Sequence, residues 1–129
     1  MKRNIILFIT TLITVACDPL FHDDFIIKNN CDKTIDVHIV FYSNNDTVFQ
    51  VEPFSEYLFY YDEWVGGHSD IEKVNRIFKK INVTKNGVVS KINYVDYNLW
   101  LQKNVESSRH NFYYTNVKYY LTINPEDFE

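Results

Sequence analysis

Polar and apolar residues alternate with a period of two in several stretches of this chain. Ile35, Val37, Ile39 and Phe41 are interleaved with Thr34, Asp36, His38 and Val40. Val117, Tyr119, Leu121 and Ile123 likewise alternate with Asn116, Lys118, Tyr120 and Thr122. This spacing places one set on each face of a strand and predicts a half-buried sheet. In IFKKINVTKNGVVSKINYV, two β-branched runs flank Asn86-Gly87, a pair that tolerates positive φ at both centres of a type I′ turn. That stretch predicts a hairpin.

Shorter strands are predicted from Phe25 to Lys28, in TVFQVEP up to Pro53, and in SEYLFYYDEW, with Tyr57, Phe59 and Tyr61 on one face. Asn-Asn-Cys-Asp and Ser-Asn-Asn-Asp supply turns between them. Ser69 with Glu72 fits a capping box and predicts a short helix in DIEKVNRIF. DYNLWLQKNVESSRH lacks alternation and reads as a loop with one helical turn, and PEDFE as a polar tail. The ten Phe and ten Tyr against three Gly and three Pro favour pleated surfaces. Together these signals predict an all-β fold: an immunoglobulin-like β-sandwich of about seven antiparallel strands with at most one short helix. Its core is the inward set of Ile35, Val37, Ile39, Phe41, Phe59, Ile81, Val83 and the apolar residues of the last strand.

The first residues follow a different logic. Lys2 and Arg3 precede an apolar stretch from Ile5 to Ile13, broken only by Thr10 and Thr11. A charged start and a short apolar run read as a secretory signal. The run falls short of the roughly 20 apolar residues that a membrane span needs. Ala16 then stands directly before Cys17. This junction resembles the lipobox of bacterial lipoproteins, although Thr14 occupies the place where that family usually has Leu. The resemblance implies removal of residues 1–16 and a diacylglycerol on the Cys17 sulfur, with about two acyl chains sufficing for stable anchoring. The expected organisation is a signal peptide over 1–16, the lipidated cysteine and a tether over 17–24, and one β-sandwich domain over 25–129.

The layout beyond the anchor resembles small cell-envelope lipoproteins of the Bacteroidota. The stretches that carry it are IKNNCDKTI, Ile27 to Ile35, and the segment from Tyr119 to Asp127. The resemblance implies a β-sandwich tied by lipid to the cell envelope, at the outer membrane on its surface or periplasmic face. It implies no catalytic residue.

Loss of Lys2 and Arg3 with the leader leaves 13 − 2 = 11 basic residues against 17 acidic ones, or −6. That sign disfavours nucleic acid as a partner. His22, His38, His68 and His110 sit in no catalytic frame, so no enzyme activity and no cofactor are expected. Asp62, Glu63, His68 and Asp70 are close in sequence and of ligand type, but their spacing matches no metal-loop signature. No metal is expected there. Trp64 and Trp100, in predicted loops, are the candidate ligand platform, since aromatic rings suit a glycan or a protein surface; Tyr60 and Tyr120 are weaker companions. Asp46-Thr47-Val48 resembles the O-glycosylation acceptor of exported Bacteroidota proteins and marks Thr47. Asn45 and Asn82 head Asn-x-Thr sequons. Lipidation of Cys17 would leave Cys31 without a partner in the chain, as a small residue at a turn edge, a reactive thiol or one half of an intermolecular bridge.

The expected function is a non-enzymatic, lipid-anchored binding or structural module for a protein or glycan partner. The alternatives are a periplasmic accessory subunit of an envelope secretion or adhesion assembly that pairs through sheet edges, and, weakest, a small hydrolase.

Overall fold

The alternating runs form strands, and their apolar faces meet in one core. A computed structural model describes residues 20–65, 70–109 and 112–129, with only the strand pairing given for 105–109 and 112–114. The strands are β1 (Leu20–Asn29), β2 (Ile35–Phe41), β3 (Asp46–Val51), β4 (Glu56–Val65), β5 (Phe78–Lys85), β6 (Val88–Val89), β7 (Trp100–Arg109) and β8 (Phe112–Ile123). They make two four-stranded sheets, ordered β4-β1-β8-β7 and β3-β2-β5-β6. The architecture is mostly β and sandwich-like.

Three features depart from the expected pattern. The described residues hold eight strands, one of them only two residues long, where about seven are expected, and β1 lies parallel to β8, so the sheet is not wholly antiparallel. Second, β1 starts at Leu20, which makes the last five residues of the expected tether part of a strand paired on both sides. Third, the expected loop around Leu101 is β7, an edge strand against β8. The expected leader and Cys17 lie outside the described residues.

A bulge shapes β4. Phe25 pairs with Tyr60 but Ile26 pairs with Leu58, leaving Phe59 as the extra residue. Phe59 and Tyr60 therefore both reach the core, where each lies beside Phe78. Tyr61 turns outward and stacks on His22, so Tyr57, Phe59 and Tyr61 do not share one face.

The expected core residues all belong to the buried cluster or its margin, with Phe41 and Phe59 only partly covered. The centre is aromatic. Phe78 stacks on Trp100 at 6.0 Å between centroids and meets Phe25 edge-on at 5.2 Å. Phe25 in turn stacks on Tyr119 at 4.8 Å. Burying side chains of this size stabilises the fold by about 1.5–3 kcal/mol each.

Asn29 joins the two sheets at the far end of β1. Its fully buried side chain donates to the carbonyls of Lys33, Val51 and Glu52 at 2.9, 3.0 and 3.1 Å and accepts from the Cys31 N–H at 2.9 Å. Asn30 donates to Asn124 Oδ1 at 3.1 Å. The Asn-Asn pair is thus a structural clasp. Cys31 is buried beside it, and burial pushes its thiol up, away from the reactive thiolate. The predicted I′ turn is present, with φ of 50° at Asn86 and 77° at Gly87.

The short helix exists as a 3₁₀ turn, Ile71–Lys73, followed by a four-residue α-helix, Val74–Ile77. Asp70 caps it by accepting from the Glu72 N–H at 3.0 Å; Ser69 lies outside the described residues. The polar tail is a 3₁₀ turn, Pro125–Phe128, closed by a capping box between Asn124 and Asp127. Tyr94 Oη donates to Asp127 Oδ2 at 3.1 Å and fastens this turn to the body. Burial raises the Tyr94 hydroxyl pKa well above its ordinary value.

Candidate functional site

Two groups of polar residues gather where β1 begins. On the inward side, Asp23 sits in line with Phe25 and Ile27, yet its side chain is 0% exposed. A buried carboxylate needs partners. Lys73 Nζ donates to Asp23 Oδ2 at 2.6 Å and to Asp62 Oδ2 at 3.2 Å, and Trp64 Nε1 donates to Asp23 at 2.9 Å. Lys73 also lies 4.8 Å above the Trp64 ring. Two carboxylates and an indole face thus enclose an ammonium that the chain itself supplies. A cleft of about 490 Å³ opens here, lined by Asp62, Trp64, Asp70, Lys73 and Arg76. Its charges are paired with one another, Arg76 bonding Asp70 at 3.1 Å.

On the outward side, His22 Nε2 is 2.7 Å from Asp24 Oδ1 and His22 Nδ1 is 3.0 Å from Glu63 Oε1. Burial lowers the His22 pKa, but the hydrogen bonds and charges of Glu63 and Asp24 outweigh it, and the net shift is upward. His22 opens the outer face of the β4-β1-β8-β7 sheet.

Strand register orders that face into rows. Leu58, Ile26, Tyr120 and Leu101 lie side by side across β4, β1, β8 and β7. The two leucines at the ends are 49% and 56% exposed. The adjacent row is Tyr61, Asp24, Lys118 and Lys103, and on the other side Lys28 pairs with Glu56 and Thr122. Lys103 Nζ sits 5.2 Å over the Tyr120 ring. Asn116, which pairs with His22 on this face, has an Oδ1 out of water with no hydrogen-bond partner among the described residues.

The candidate platform is not formed. Trp100 opens β7 with 5% exposure, stacks on Phe78 and donates through Nε1 to the Tyr94 carbonyl at 2.8 Å. Its ring belongs to the core. Trp64 lies in β4, not in a loop, and Phe21 stacks on it at 4.5 Å. With Lys73 also over the ring, little of it is offered flat. Thr47 is half-buried inside β3, opposite Ile39. Asp62, within β4, and Asp70 are spent on Lys73 and Arg76; His68 and His110 lie outside the described residues. His38 bonds Asp46 at 2.9 Å on the polar face of β2.

The sequence reading missed the Asp23–Lys73 pair and the apolar row. The first joins residues 50 positions apart. The second needs the register of four strands, and two of its members lie in stretches without clean alternation. The fold and its faces define a two-sheet β protein. No protein-family model, curated protein or solved structure matches the chain.

Proposed function

We propose that this chain is a non-enzymatic, lipid-anchored envelope protein whose domain binds a protein partner through the outer face of the β4-β1-β8-β7 sheet. The row Leu58, Ile26, Tyr120 and Leu101 carries this reading. Its exposed members are the two end leucines, with Ile26 between them only 8% exposed, and charged rows border the strip as a polar rim borders an interface. A glycan is the poorer fit, since both tryptophans are engaged by the protein. Edge pairing through β4 is disfavoured by its bulge and its acidic residues, features that blunt exposed edges. The anchor rests on Lys2, Arg3, the apolar run and Cys17, and the outer membrane is its proposed place.

Two measurements on cells test the two halves. Palmitate should label the wild type and not Cys17→Ser; label retained in the variant would remove the anchor. A photo-crosslinking residue at Leu101 should trap a protein, whereas one at Asn82, on the outer face of the opposite sheet, should not. Equal trapping at both positions would remove the docking face.

A further inference from the structure

We infer that the partner on this face is a second copy of the chain, set face to face by a two-fold axis running along the strands between β1 and β8. This rests on the reading of that face as a partner site and names its occupant. The rows are self-complementary under such an axis. It lays Leu58 of one copy over Leu101 of the other, and Ile26 over Tyr120. In the next row it lays Asp24 over Lys118 and Tyr61 over Lys103.

The charges divide in the same sense. On the β4–β1 half of the face, Asp24, Glu56 and Glu63 against Lys28 leave −3 + 1 = −2 with His22 neutral, and −3 + 2 = −1 with His22 protonated between Asp24 and Glu63. On the β8–β7 half, Lys118 and Lys103 give +2 among the described residues. These two lysines stand directly opposite each other across the strands, an arrangement that destabilises an isolated sheet. Neither forms a salt bridge among the described residues. The acidic half of a second copy is the counter-charge that this half lacks.

The proposed anchor selects this axis over one running across the strands. Three peptide units separate Cys17 from Leu20, a reach of at most about 11 Å. An axis along the strands keeps both β1 starts at one end, so both lipids enter one membrane. An axis across them would send the two starts to opposite ends, about 33 Å apart for a ten-residue strand. The face measures about 500 Å² per copy from strand spacing and rise. Some 1,000 Å² in total is at the small end of specific interfaces. Confinement to one membrane raises the effective concentration and favours so modest a contact.

The test uses full-length chains in their membrane, with Leu58→Cys and Leu101→Cys made separately and expressed singly or together. A short bismaleimide should give at least about fivefold more cross-linked dimer in the mixed cells. Like residues of two copies would stand about 14 Å apart sideways, on top of about 10 Å between sheets, beyond such a linker. Palmitate label is scored on the same samples. Labelled protein whose mixed cross-link is no stronger than the single variants' overturns the dimer and leaves the anchor standing. A strong mixed cross-link in unlabelled protein upholds the dimer and overturns the anchor.

Discussion

Lys73 holds its ammonium 2.6 Å from the carboxylate of Asp23, a group with 0% side-chain exposure. The pair ties the helical turn after β4 to the beginning of β1. Removing one partner of a buried pair leaves an uncompensated charge, which costs about 3–5 kcal/mol. Lys73→Met should therefore lower urea stability by about 3 kcal/mol, towards the lower bound because Trp64 still donates to Asp23. The double variant Asp23→Asn with Lys73→Met should recover a large part of that loss. A double variant no better than Lys73→Met alone would show that the pair is not the source.

His22 makes stability depend on pH in a stated direction. Its folded pKa lies above the ordinary 6.5 because Glu63 and Asp24 favour the imidazolium more than burial opposes it. The contribution is fully present below the unfolded value and is lost as pH rises through the raised folded value. Urea midpoints should fall as pH rises from just below 6.5 through that value, and His22→Gln should flatten this slope. A slope unchanged in His22→Gln would assign it to another group.

Asn29→Ala should cost about 3 kcal/mol, because it strips three carbonyls and one N–H of their partner at the junction of the sheets. Asn30→Ala, which loses one side-chain bond at a half-buried site, should cost about 1 kcal/mol. Chemical denaturation of both variants checks the ranking. Equal losses would deny Asn29 its special place.

Phe54 adopts φ 54° in the turn between β3 and β4 and is 71% exposed. The left-handed region costs an ordinary L-residue about 1–2 kcal/mol. Phe54→Gly should raise stability by about 0.5–1 kcal/mol after glycine's greater unfolded-state freedom is allowed for, read as a higher melting temperature. A lower one would reveal a packing role for the ring.

Legibility in the sequence tracked how local each cause is. The strand around Val37, the Asn86-Gly87 hairpin and the last strand were readable because alternation and turn chemistry lie within a few residues. β7 was not, since Gln102 and Asn104 occupy its inward positions beyond Trp100 and erase the alternation. The start of β1 was mistaken for a tether because Asp23 and Asp24 look like solvent-exposed acids. Their partners, Lys73 and His22, become visible only once the strands pair. Trp100 suffered the same way: a tryptophan in an apparent loop proved to be the inward residue of an edge strand.

The parallel pairing of β1 with β8 also sets an order of events. Asn29 finds its neighbour at Ile123, almost the whole domain later, and the sheet stays open in the middle until the final strand arrives. Contacts so distant along the chain make folding slow relative to local hairpins. The β5–β6 hairpin can form early, but β4 and β1 remain an incomplete template while the last dozen residues of strand are withheld. A chain built this way commits to its shape only when β8 is free to pair with β1.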